Sequence, residues 1–219
     1  MEPRAELVTL TEPESAAAEA YRALRTSLIY AGLDEPLRSV VLAPPAPDRG
    51  RTEEVAANLG VVLAQSGQEV ILVDADLRHP TLHRLFGLEN GEGVSEAVLL
   101  PAEAPLPLRE TGVTGLSLLT AGKPPLNAAD LLASKRMEKL VQRLEQQADF
   151  VLFAAPPITA VTDAAVLGRL CDGLVLTVRA GRTRRDRLAE AKQVLERWEV
   201  RTLGAVLLDS TTRHLWQGY

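Results

Sequence analysis

Short apolar runs recur along the chain: RSVVLA at residues 38–43, EVILVD at 69–74, GLSLLT at 115–120, DFVLFA at 149–154, DGLVLTV at 172–178 and TLGAVLL at 202–208. Their apolar and polar positions do not alternate, so each reads as a strand covered on both faces, as in a parallel sheet. Between them, helical periodicity predicts helices at about residues 14–32, 52–66, 127–147, 160–170 and 183–199. Repeated strand and helix predict an α/β fold, a doubly wound and mainly parallel sheet with helices on both faces. Prolines and glycines around 87–93 and 101–107 mark loops, with GVSEAVL as a short helix between them.

The chain has 219 residues, 46% of them hydrophobic, enough to bury one sizeable core. A single domain over residues 1–219 is expected, with 1–12 as a flexible N-terminus and 210–219 as a short C-terminal tail. The net charge of -5 argues against a generic nucleic-acid binder and leaves proteins as the expected partners. The single cysteine, Cys171, lies in an apolar run and reads as a small buried hydrophobe, which excludes a disulfide framework and suits a reducing cytoplasm. No window has the apolar length of a signal peptide core or a membrane span.

Ligands of such sheets bind at the carboxyl ends of the strands, so chemistry is sought there. After the first strand, APPAPDRGRT stands where a phosphate loop, G-x-x-x-x-G-K-[ST], would converge its backbone N–H groups on a phosphate. The window runs Pro45, Ala46, Pro47, Asp48, Arg49, Gly50, Arg51, Thr52, and of the pattern only the second glycine and the hydroxyl survive. The prolines bring no N–H, Asp48 puts a carboxylate near the anion site, and the planar guanidinium of Arg51 does not replace an ammonium. Glu53 and Glu54 already occupy the positive end of the next helix.

The segments AEAYRALRTSLIYAG (18–32), ILVDADLRHPTLHRLFGL (71–88), AGKPPLNAADLLAS (121–134), DFVLFAAPPITAVTDA (149–164) and VRAGRTRRDRL (178–188) occur in the order and spacing of a known family. From about Pro13 to Asp209 the chain resembles the bacterial tyrosine kinases of capsule and exopolysaccharide chain-length control. The resemblance implies a P-loop NTPase-like fold of the MinD and ParA superfamily. It lays Asp48 on the family's first loop glycine, Arg51 on its lysine and Thr52 on its serine. It leaves the D-x-D-L-R-x-P block intact as Asp74, Asp76, Leu77, Arg78 and Pro80, whose aspartates help hold magnesium in active relatives. Where the family reads D-T-P-P, the carboxylate that supports magnesium is replaced by Ala154. Where it reads V-L-N, this chain has Leu208 followed by Asp209, and in place of a tyrosine-rich tail only Tyr219.

Loss of loop glycine, loop lysine, metal carboxylate and substrate tail together implies a pseudokinase. No catalytic or metal set is intact, Thr52, Asp74 and Asp76 being vestigial, and Asp48, Arg49, Gly50, Arg51 and Thr52 form a degenerate nucleotide loop. No cofactor is expected, with ATP and magnesium only if that loop still binds them. Glu19, Arg22 and Arg25 form E-x-x-R-x-x-R on one helical face, the motif by which the family assembles. The resemblance implies a cytoplasmic protein, drawn to the inner face of the cell membrane through a partner, with itself, an active kinase paralogue or a membrane-embedded chain-length modulator as partner. A weakly active autokinase or ATPase and a MinD- or ParA-like positioning factor are the alternatives. His79 and His83 read as ordinary surface or capping residues rather than metal ligands, and Arg179, Arg182, Arg184, Arg185 and Arg187 as a solvated basic face, with a binding patch as the alternative.

Overall fold

The computed structural model describes residues 7–33, 35–47 and 51–210. In chain order these form α1 (Val8–Thr11), α2 (Ala16–Ala31), β1 (Ser39–Ala43), α3 (Thr52–Ala64), β2 (Val70–Asp74), α4 (Leu82–Leu85), α5 (Val94–Ala97) and β3 (Arg109–Glu110). There follow β4 (Leu116–Leu119), α6 (Ala128–Leu132), α7 (Lys135–Gln147), β5 (Phe150–Ala154), α8 (Asp163–Leu170), β6 (Gly173–Arg179), α9 (Arg185–Arg197) and β7 (Thr202–Leu208). One sheet holds every strand in the order β3-β4-β2-β5-β1-β6-β7, parallel throughout except where β3 runs against β4.

The apolar runs behave as strands because both of their faces are covered. β1, β2 and β5 are buried at every position. Alternate residues serve opposite layers: Val40, Leu42 and Leu72 pack with α2 and α3, whereas Val41, Ile71 and Phe153 pack with α6, α7 and α8. β1 leads through α3 to β2 on one side, while β5 leads through α8 to β6 on the other. The two connections leave the carboxyl ends of β1 and β5 toward opposite faces, the place where sheets of this kind receive ligands.

Several elements differ from the sequence expectation. The helix predicted over 127–147 is two, because Ser134 leaves helical geometry and its hydroxyl accepts from Met137 N at 3.2 Å, capping α7 afresh. The helix expected from 160 starts at Asp163, after a turn set by Pro156 and Pro157. β7 is an edge strand, not a doubly covered one; Leu207 is 57% exposed. A bulge at its start sets Leu203 against Gly173, where a Cβ would lie 2.6 Å from the leucine side chain and push it aside.

Within the N-terminal segment expected to be flexible, Val8–Thr11 form α1, which docks on α3 through one buried amide. Asn58 Oδ1 accepts from Thr9 N at 3.0 Å and from Thr9 Oγ1 at 2.8 Å, while its Nδ2 donates to Glu54 O at 2.9 Å. Asn58→Ala strands both Thr9 donors and is expected to lower the unfolding free energy by about 1–3 kcal/mol in urea denaturation. An unchanged midpoint would mean that α1 detaches at no cost.

Candidate functional site at the carboxyl end of the sheet

Asp74 and Ala154 are register partners at the last positions of β2 and β5, and Ala154 faces Leu42 of β1 on its other side. The segments beyond β1 and β5 are stitched by main-chain bonds, Ile158 N to Pro44 O at 3.0 Å and Thr159 N to Pro45 O at 3.1 Å. Pro45, at the start of the loop window, thus contributes a carbonyl acceptor and has no N–H to offer. Asp48, Arg49 and Gly50 lie outside the described residues, as does Tyr219.

Arg51 flanks α3 and is bound within its own surroundings. Its Nε donates to Glu54 Oε2 at 2.6 Å, and its Nη1 lies 3.3 Å from Asp209 Oδ1. Arg179 holds the other oxygen of Asp209 at 2.8 Å from Nη2. These two arginines, Arg179 foremost, hold the Asp209 carboxyl below its usual range, and the Glu54 hydrogen bond raises Arg51. Thr52, buried at the first turn of α3, shares a hydrogen bond of 2.7 Å with Thr177 of β6. Tyr21 of α2 senses the charges of Arg51 and Glu54, while burial pushes its hydroxyl up to about 12.

On the other side of the strand ends the groups are acidic. Asp74 is fully buried; its Oδ2 accepts from Thr81 N at 3.1 Å and Leu82 N at 3.0 Å, while Oδ1 meets no partner among the described residues. Asp76 Oδ1 caps the following turn, accepting from Arg78 N at 3.1 Å and His79 N at 2.9 Å. Glu53, partly buried at the start of α3, has its carboxyl pushed up by burial and by the charge of Asp76. Arg78 reaches past this group to the fully buried Asp163 at 3.2 and 3.3 Å. Among the described residues no His, Cys, Asp and Glu grouping is arranged to hold a metal ion. His83 is buried rather than at the surface, with Nδ1 unpaired among the described residues and its pKa lowered by burial.

Asp74, Asp76, Thr52, Arg51 and Ala154 therefore gather at one end of the sheet, as their strand-end positions predict. Glu19, Arg22 and Arg25 lie elsewhere, on α2: Arg22 pairs with Glu19 at 2.8 Å, and Arg25 Nη1 donates to Val62 O of α3 at 3.2 Å. The basic cluster is laced with acids, Arg184 to Asp186 at 2.9 Å and Arg187 to Glu190 at 2.7 Å. Sequence reasoning missed the Arg78–Asp163 pair and the role of Tyr21. The only signal for Asp163 was its place just beyond the Pro156-Pro157 turn.

Burial, reinforced by the charges of Glu53 and Asp76, pushes the Asp74 carboxyl up to about 7. Between about pH 4 and 7 the unfolded chain releases this proton while the folded one keeps it, so stability falls as pH rises through that window. Asp74→Asn keeps an oxygen for the Thr81 and Leu82 N–H groups and cannot ionise. Its unfolding free energy relative to wild type should therefore climb by about 1–3 kcal/mol from roughly pH 4.5 to 7.5. Parallel pH profiles would show instead that Asp74 titrates normally.

No protein-family model matches the chain. Individual proteins do. It is 39% identical over 201 residues to the tyrosine-protein kinase YwqD of Bacillus subtilis, covering 92% of this chain and 84% of YwqD. It is 35% identical over 200 residues to the tyrosine-protein kinase etk of Escherichia coli, covering 91% of this chain but 27% of etk. The solved kinase domain of that protein superposes with a TM-score of 0.84 at 31% identity, covering 100% of this chain and 87% of the domain. The cell division ATPase MinD of Pyrococcus furiosus shares the fold, with a TM-score of 0.62 at 22% identity over 78% of this chain and 71% of MinD. With the doubly wound sheet and the identity to YwqD, the chain belongs to the bacterial tyrosine-protein kinase family.

Proposed function

We propose that this chain is a phosphotransfer-silent member of its family, acting as a regulatory or structural partner in capsule or exopolysaccharide polymerisation and export. The observation that carries the reading is that Ala154 stands beside Asp74 at the strand ends, where the resemblance calls for a second carboxylate. Phosphoryl transfer depends on positioning and on neutralising charge with a metal and a cationic side chain. The residues present do not fit a magnesium-bound triphosphate. Burial pushes Glu53 and Asp74 toward the neutral form, the carboxylate expected at Ala154 is missing, and the nearby arginines are engaged with Glu54, Asp209 and Asp163.

A weakly active autokinase or ATPase is the second reading. The exposed Arg51 ion pairs favour it, because such pairs are worth little and a phosphate could displace them. A MinD- or ParA-like positioning role rests on the shared fold alone. The chain would work in the cytoplasm, at the inner face of the membrane through a membrane-embedded chain-length partner. Among the described residues no helix is long and apolar enough to cross a membrane.

Calorimetric titration with magnesium and ATP is expected to give no measurable heat of binding, and mass spectrometry after incubation no phosphotyrosine. Asp48→Gly, Arg51→Lys and Ala154→Asp together should restore magnesium-dependent binding, since the new carboxylate would stand directly beside Asp74 and call for a cation. Tight binding by the unaltered protein would make this an altered nucleotide site rather than a silent one.

The E-x-x-R-x-x-R face of α2 is the proposed assembly surface. Arg22→Ala with Arg25→Ala is expected to convert self-associated protein to monomer in sedimentation, or to abolish binding to an active paralogue. An oligomer that survives both substitutions would place the contact on another face.

A further inference from the structure

A groove of about 630 Å³ runs between α9 and the two outermost strands on that side of the sheet, β6 and β7. Leu176 of β6 and its register partner Ala205 of β7 line it from the sheet, and Leu188, Ala189 and Leu195 line it from one face of the helix. Ala205 offers only a methyl group here and stays exposed, so the space under α9 is left unfilled. Toward the end of α9 the groove reaches Leu195 and Val200, both buried. Thr202 is the only uncharged polar side chain that lines it among the described residues.

The charges on the rim are unequal. Lys192 and Glu196 answer each other at 3.6 Å, which leaves that stretch without net charge. Arg185, at the start of α9, lines the groove and makes no ion pair among the described residues, although Arg184 and Arg187 on either side are held by Asp186 and Glu190. An apolar channel with one unanswered cation at its mouth suits an apolar ligand with one anionic end. At about 1.5 Å of rise per residue, the helix from Arg185 to Leu195 spans about 15 Å, close to an extended alkyl chain of about twelve carbons.

We infer that this groove binds a free fatty acid of about ten to twelve carbons, its carboxylate on Arg185 and its alkyl chain along α9 toward Leu195 and Val200. The lining favours an alkyl chain over a peptide. The main-chain groups of β6 and β7 pair within the plane of the sheet, so an extended peptide lying on this face would leave its own N–H and C=O groups unanswered. A helix, about 10 Å across with its side chains, is too wide to enter beneath α9. A second copy docked about a two-fold axis at the groove would set Arg185 against its own equivalent.

The test is calorimetric titration of the full chain with decanoate below its micelle concentration. Binding should saturate at one equivalent and be at least about tenfold tighter than that of hexanoate, which buries fewer methylenes, or of decyltrimethylammonium, which reverses the charge. Ala205→Phe fills the groove from β7 and should weaken decanoate and decanol alike by at least about tenfold. Arg185→Gln should weaken decanoate by at least about tenfold and leave decanol within about twofold, a split that a merely structural change would not give. Circular dichroism and urea midpoints of both variants should match wild type, because both side chains are exposed. No binding, equal binding of decanoate and decyltrimethylammonium, or decanoate binding that Ala205→Phe leaves intact overturns the proposal. So does a dimer that Ala205→Phe dissociates, decanoate binding gained only on Trp216→Ser, or binding to phosphatidylglycerol vesicles that Ala205→Phe abolishes; these assign the groove to a second copy, to residues 211–219 or to a bilayer. No nucleotide enters the assay, so failure here is distinct from failure of the phosphotransfer-silent reading.

Discussion

A parallel sheet covered on both faces leaves its strands in contact with water only at their ends and at the outermost edge. β1, β2 and β5 have no exposed position, so the polar groups on which any ligand chemistry could rest are confined to the last residues of these strands and the loops beyond. That confinement puts Asp74 beside Ala154 and buries a carboxyl with one oxygen unanswered among the described residues. It also concentrates ionisable groups on either side of the strand ends. Arg51, Asp209 and Arg179 form one cluster, and Glu53, Asp74 and Asp76 the other.

Much of this was legible from residue patterns. The doubly covered runs gave the central strands, and the strand-end rule located Asp74, Ala154, Arg51 and Thr52 together. The edge character of β7 was not legible, because TLGAVLL has the same apolar composition as a central strand and only the sheet order reveals which neighbour is missing. The break between α6 and α7 turned on a single serine hydroxyl in a continuous helical pattern. Long-range pairs such as Arg78 with Asp163, or Thr9 with Asn58, depend on which loops the topology brings together, and local spacing carries no record of that.

α2 joins three regions that would otherwise be separate. Its first half carries Glu19, Arg22 and Arg25; Tyr21 lies in the electrostatic reach of Arg51 and Glu54; its last turn lies at the far end of the sheet, beside Phe150 at the start of β5. Arg25 anchors it to α3, the helix that follows the degenerate loop. A displacement of α2 would be felt at all three places.

β7 has a bearing on how the protein behaves when concentrated. A long exposed edge with apolar residues and neither proline nor charge is a template on which other chains can add as strands. TLGAVLL fits that description, and Leu207 faces solvent. The bulge that seats Leu203 on Gly173 sharpens the local twist, and Asp209 in the left-handed region ends the strand abruptly. Both features shorten the flat stretch open to a stray strand, which limits edge-to-edge association at high protein concentration.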